Sequence, residues 1–113
     1  MYGLTVRWSL TDAPPDVLDR LQDYVESESH AKFAGLPGLR HKTWRARPGE
    51  WFEGTYVFAT VEARAAFQAD FESRAAAAPG SVLTGGPPQI EPFEVVAVVR
   101  GPAGFRSAAR FEN

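Results

Sequence analysis

Cysteine is absent from the 113 residues. That excludes a disulfide framework, a thiolate nucleophile, and zinc or iron–sulfur centres held by sulfur. Histidine is almost as scarce, with only His30 and His41. Two imidazoles without an accompanying carboxylate motif make a poor metal site. Positive charge is not in excess either: 12 Lys and Arg stand against 14 Asp and Glu, a net charge of −2. Such a chain has no surplus of cations to neutralise phosphates or anionic head groups, so neither nucleic acid nor a membrane surface is expected as a partner. No stretch of about 18 apolar residues crosses a bilayer. Met1 to Leu10 carries Arg7 inside an alternating pattern, unlike the unbroken apolar stretch of a secretory signal, and a cytoplasmic location is expected. Glycine-rich phosphate loops are missing as well. Gly35, Gly38, Gly85 and Gly86 lack the spacing and the strand-to-helix setting, so no nucleotide cofactor is implied.

What is present is the composition of a folded domain. Apolar residues make up 44% and charged residues 23%, far from the signature of disorder. The length suits one domain and not two. We expect that domain over residues 1–102, with 103–113 as a C-terminal tail.

Periodicity sets out six elements. Leu4, Val6, Trp8 and Leu10 alternate with Thr5, Arg7 and Ser9, the two-residue period of a first strand. Thr11-Asp12-Ala13-Pro14-Pro15 ends it and supplies capping residues for a helix, in which Val17, Leu18, Leu21, Tyr24 and Val25 recur at helical spacing. After the break at Gly35-Leu36-Pro37-Gly38, a second strand runs from Leu39 to Ala46. It places His41 and Thr43 on one face and Lys42 and Trp44 on the other. Pro48-Gly49-Glu50 turns into a third strand, Trp51 to Ala59, with Phe52, Gly54, Tyr56 and Phe58 on a common face. A glycine in mid-strand marks a bulge or a place where another group comes close to the backbone. Thr60 caps a second helix reaching about Ala78, along which Ala63, Phe67, Phe71 and Ala75 lie one turn apart. Pro79-Gly80 is expected to stop it. A loop through Gly85-Gly86-Pro87-Pro88 then leads to a fourth, largely β-branched strand from Ile90 to Val99.

Strand, helix, strand, strand, helix, strand is the split βαβ or ferredoxin-like arrangement, an α+β fold on a four-stranded antiparallel sheet. Right-handed crossovers bring both helices to one face. The other face is expected to carry apolar residues and to be covered by a second copy, giving a two-fold dimer.

The segments Gly38-Leu39-Arg40-His41-Lys42-Thr43-Trp44 and Gly54-Thr55-Tyr56-Val57-Phe58, followed by an alanine-rich helix, resemble the putative-monooxygenase branch of the dimeric α/β-barrel superfamily, the antibiotic-biosynthesis-monooxygenase-like proteins. Members often read Gly-Leu-x-x-Lys-x-Trp and then Gly-Gly-x-Tyr-x-Phe or Trp. The likeness spans roughly Gly3 to Arg100 in order and spacing. Glu53 stands where the pattern commonly has its first glycine, and Trp51-Phe52 adds bulk beside it. The resemblance implies a homodimer, a dimeric α/β barrel, with a small-molecule pocket between sheet and helices in each subunit. Some members oxidise polycyclic phenols with molecular oxygen and without metal, flavin or haem. Others decarboxylate, isomerise or cyclise.

On that footing the expected function is a cofactor-independent enzyme of a small aromatic or polyketide-like metabolite in natural-product biosynthesis, a monooxygenase. The alternatives are a non-oxidative cyclase, isomerase or decarboxylase, and a binding dimer without catalysis. His41 is the candidate acid or base, since imidazole is the side chain best suited to proton transfer near neutral pH. Trp44 and Tyr56 complete the expected catalytic group as a flat aromatic wall, with Trp8, Phe58 and Phe67 beside them. Arg7, Arg40 and Lys42 are cations suited to holding a phenolate or carboxylate. Each has an alternative as a solvated charge, and the aromatics as plain core. His30, near the end of the first helix, either lines the site or answers the helix dipole.

Overall fold

The computed structural model describes residues 1–104; the part of the expected tail at 105–113 lies outside the described residues. Strand β1 (Tyr2–Ser9) leads to α1 (Val17–Tyr24), which continues without a break through a π-helical turn (Val25–Ser29) into α2 (His30–Ala34). Strands β2 (Leu39–Arg47) and β3 (Trp51–Phe58) form the hairpin, α3 (Val61–Arg74) and α4 (Pro79–Thr84) follow, and β4 (Gln89–Glu94) closes the sheet. All neighbours are antiparallel, in the order β2-β3-β1-β4. This is the ferredoxin-like arrangement expected.

The alternation read in β1 and β3 decides which side is buried. Leu4, Val6, Trp8, Phe52, Tyr56 and Phe58 face the helices and join Leu21, Val25, Phe33 and Phe71 in one core. Four aromatics knit its centre. Tyr56 packs on Phe67 with ring centroids 4.8 Å apart and on Phe33 at 5.4 Å, and Phe58 meets Phe67 at 5.5 Å. Tilted and edge-on pairs of this kind add roughly 0.5–1.5 kcal/mol each beyond the area they bury. Thr60 caps α3 as expected, its hydroxyl oxygen accepting from the Ala63 N–H.

Three expectations need correction. Pro79-Gly80 does not lead into a loop; it opens α4. Proline excludes the helical conformation at the residue before it, so Ala78 turns extended (φ −60°, ψ 142°), while Pro79 itself suits a first helical turn. Gly85, at φ +85°, then ends α4 in the left-handed conformation that favours glycine. The fourth strand is also shorter than expected. Its ladder runs out where β1 does, at the pair Tyr2 and Glu94, and beyond the bond from the Val95 N–H to the Met1 carbonyl no strand among the described residues lies alongside. Val96, Val98 and Val99 are left 95%, 61% and 90% exposed. Finally, the helix-free face is chiefly polar rather than apolar. Buried Glu53 sits at its centre, accepting from Arg7 Nε at 2.8 Å, Arg45 Nε at 2.6 Å and the Thr55 hydroxyl at 2.9 Å.

Candidate functional site

A cleft opens between the helices and the helix-facing side of β2 and β3. Trp44, Tyr56 and Trp8 line it, together with Phe33, Ser29 and Lys42. Its free volume is about 60 Å³. The π-helical turn at Val25–Ser29 borders it and sends Val25 and Ser29 inward. Such one-turn widenings of a helix are frequent at functional sites.

Lys42 holds the centre of this cleft. It lies directly opposite Tyr56 in the β2–β3 ladder, and its Nζ donates to the Tyr56 Oη at 2.9 Å. Three aromatic faces enclose the amine: the ring of Phe33 lies 3.6 Å from Nζ, that of Tyr56 4.2 Å and that of Trp44 4.4 Å. Among the described residues no Asp or Glu lines the cleft, whereas Lys32 and Arg74 do. Burial penalises the charged form and the nearby Lys32 ammonium adds repulsion, so the amine's pKa falls well below its ordinary value. Burial also pushes the Tyr56 hydroxyl up, well above the ordinary phenol range. The pair is therefore an amine whose burial favours the uncharged form beside a phenol whose burial favours the protonated one.

Gly54 explains how the lysine gets there. It stands between Trp44 on β2 and Val6 on β1. A Cβ added at Gly54 would lie 3.1 Å from Lys42 Cε and 3.5 Å from its Nζ. The bare backbone is the floor over which the lysine stem folds.

The expected site residues divide by face. Trp44, Tyr56 and Trp8 border the cleft. His30 flanks it, its ring 6.1 Å from that of Trp44. Phe58 and Phe67 form a second aromatic layer against Tyr56 and do not reach the cleft. His41 pairs with Val57 on the opposite, helix-free face and is exposed. Its imidazole cannot serve as acid or base in this cleft, because successive strand residues point to opposite sides of the sheet. Arg7 is on that other face too, engaged with Glu53 and lying over the Trp51 ring at 4.1 Å. Arg40 sits exposed beside the register shift between Leu39 and His41. The amine that occupies the cleft is Lys42, one of five strand cations, and the signals for it were its phase with Trp44 and the mid-strand glycine opposite that tryptophan.

On the helix-free face a larger hollow of about 290 Å³ lies among Thr5, Arg7, Arg45, Glu53, Gln89 and Glu91. It is polar throughout and its charges answer one another. The two arginines hold the Glu53 carboxyl below the usual carboxylate range despite the opposing effect of its burial. There Arg7 and Arg45 both engage Glu53, whereas the smaller cleft holds the enclosed amine of Lys42. Among the described residues no cluster of three His, Cys, Asp or Glu side chains is placed to hold a metal ion, and no helix is long and apolar enough to cross a membrane.

No protein-family model and no curated protein matches the chain. Solved structures do. A monooxygenase from the gene ActVA-Orf6 of Streptomyces coelicolor, in complex with the ligand nanaomycin D, superposes with a TM-score of 0.65 at 18% identity, covering 88% of this chain and 91% of the other. The chain shares the fold of that monooxygenase. A protein of unknown function from Nitrosomonas europaea shares it, with a TM-score of 0.63 at 25% identity over 91% of this chain and 95% of its own. The resemblance read from Gly38–Trp44 and Gly54–Phe58 is thus met at the level of the fold.

Proposed function

We propose that the protein is a cofactor-independent monooxygenase of a small phenolic, polyketide-like aromatic, working as a homodimer. The observation that carries this reading is the Lys42 amine, hydrogen-bonded to Tyr56 and enclosed by three aromatic rings with no carboxylate beside it. An uncharged amine accepts the proton of a phenol or of an activated CH2, and the ammonium so formed stabilises the resulting anion. The rings of Trp44 and Tyr56 offer flat walls for an aromatic guest. The carbanion-like anion passes an electron to oxygen, and the radical pair combines. For an anthrone, CH2 and O2 become C=O and H2O, with no external reductant. The monooxygenase neighbour's complex with nanaomycin D supports a small-molecule ligand for this fold. Ligand pockets usually measure roughly 300–1,000 Å³, so a fused-ring guest requires the 60 Å³ cleft to widen while Lys42 keeps its place beside Tyr56.

The experiment is oxygen uptake with a panel of hydroxylated naphthacenes and anthrones. Uptake with at least one, lost in Lys42→Met and kept in His41→Ala, is expected. No uptake with any of them sinks the oxidative reading. A second copy would cover the exposed valines after β4 and the polar helix-free face. Light scattering should accordingly give twice the 12.4 kDa chain mass, and a monomer mass at micromolar concentration removes the dimer.

A further inference from the structure

The cleft presents its amine in a manner that a proton acceptor alone does not require. Lys42 Nζ stands 2.9 Å from Tyr56 Oη, so an amine and a phenol share one cleft whose described lining holds no carboxylate. The free volume beside them, about 60 Å³, is on the order of two water molecules at the liquid's share of roughly 30 Å³ each. Without any rearrangement that space admits a molecule of a few heavy atoms. The charge lining the cleft is positive, from Lys32 and Arg74, and none of it is negative.

We propose that Lys42 forms an imine with a small carbonyl compound bearing a carboxylate, of the 2-oxo-acid class, and that Tyr56 supplies the proton that releases water. The nitrogen lone pair adds to the carbonyl carbon, and after proton transfer from nitrogen to oxygen the adduct is a neutral carbinolamine. The C–O bond then breaks as the Tyr56 hydroxyl gives its proton to the departing oxygen. Products of that step are water, an iminium on Lys42 and a Tyr56 phenolate. Return of the N–H proton to the phenolate leaves a neutral imine and restores Tyr56.

Each part of the site suits a different stage. Burial among the rings, with the Lys32 ammonium nearby, lowers the amine's pKa and so favours its nucleophilic form. Burial keeps Tyr56 protonated until a leaving oxygen demands the proton. The faces of Phe33, Tyr56 and Trp44, all within 4.4 Å of Nζ, attract the iminium cation once it exists. Lys32 is exposed at the mouth, where its ammonium meets the substrate's carboxylate. Arg74 serves the same end of the cleft less directly, because Asp70 engages its Nε at 3.1 Å. Tyr24 is the remaining titratable neighbour on α1, and its own burial raises its pKa, so it stays neutral.

The chain has only two lysines, Lys32 and Lys42, which makes the test internal to the native protein. Full-length protein is incubated at neutral pH with pyruvate or with acetone and sodium cyanoborohydride, digested with trypsin and mapped by mass. The expected result is a reduced pyruvate adduct at Lys42, seen as an uncut peptide across Lys42-Thr43, accumulating at least about tenfold faster than label at Lys32 or the N-terminal amine. That ratio should collapse in the urea-unfolded chain. Acetone, which lacks the carboxylate, should label Lys42 more slowly, and Tyr56→Phe should keep the site of labelling while slowing it about a hundredfold. Labelling of Lys42 no faster than Lys32 overturns the imine, and an undiminished rate in Tyr56→Phe overturns the role of the phenol. The inference uses the same amine as the proposed oxidation but does not depend on it: oxygen uptake without an adduct at Lys42 overturns the imine, and an adduct without uptake removes the oxidation.

Discussion

Lys42 Cε lies 3.1 Å from the point where a Cβ on Gly54 would stand. A lysine stem folded over bare backbone is what brings an amine into an aromatic cleft from a strand otherwise exposed on alternate residues. Tyr56, opposite in the ladder, then fixes the amine through one hydrogen bond.

Gly54→Ala follows directly. The added methyl group meets Lys42 Cε and Tyr56 Cε1 at 3.1 and 3.3 Å, so the flexible lysine gives way before the strand does. The variant should fold, with its melting temperature within a few degrees of the parent, while reactivity at Lys42 falls by about an order of magnitude, as misplaced reacting groups do. Circular dichroism and the rate of Lys42 labelling measure the two separately. Unchanged labelling would show that Gly54 does not set the amine's position.

A second outcome concerns pH. The Lys42 pKa is lowered from an ordinary 10.5, so the unfolded chain binds more protons than the native one over the interval below 10.5, and native stability rises with pH there. Lys42→Met removes the titrating group and keeps an apolar side chain against the rings. At neutral pH it should melt higher than the parent, by roughly 4–8 °C for each kcal/mol regained, and the gap should narrow as pH approaches 10.5. Thermal melts across pH 6–10 check this; a gap that widens with pH contradicts the lowered pKa.

Glu53 gives the opposite sign. Burial tends to raise its pKa, but hydrogen bonds from Arg45, Arg7 and Thr55 outweigh it and the net shift is downward from 4.5. A depressed carboxylate contributes stability above its unfolded pKa and loses it as pH falls through the folded one. Glu53→Gln should therefore cost about 1–3 kcal/mol at pH 7 and flatten the acid side of the stability profile. The arginines are 39% and 56% exposed, so water takes up part of their lost pairing and holds the cost in that range. Urea unfolding at pH 7 and pH 3 tests it, and an equal loss at both values rules out the ionic contribution.

Trp8 is anchored through a relay. Its Nε1–H donates to Ser81 Oγ at 2.9 Å, and that hydroxyl donates in turn to the Ala75 carbonyl at 2.7 Å. Ser81→Ala strands a buried indole N–H, a loss of about 1–3 kcal/mol. A shift in tryptophan emission alongside the lower unfolding midpoint would locate the effect at the cleft wall.

Most of the fold was legible in the residues. Period-2 runs in β1 and β3 and the helical spacing of Val17 to Val25 name their elements because burial on one side of a strand or helix leaves a trace in composition. The short α4 was hidden, since Pro79-Gly80 signals a stop and an N-terminal turn equally well. The extent of β4 was hidden for another reason. Val95 to Val99 has strand composition, but pairing needs a neighbour, and β1 ends first.

The site was half legible. The alternation that puts Trp44 toward the helices necessarily puts His41 away from them, so the sequence already held the evidence against the histidine and for Lys42, which shares the phase of Trp44. Mid-strand Gly54 likewise announced a close approach without naming the visitor. What only the tertiary structure decided is which charge is buried on which face: Glu53 between two arginines on one side, Lys42 among three rings on the other. Those environments are made by residues far apart in the chain, and it is the packing of Phe33 from the first helix against Trp44 and Tyr56 from the hairpin that turns an ordinary strand lysine into an enclosed amine. Local composition records which side of an element is dry; it does not record what stands across from it.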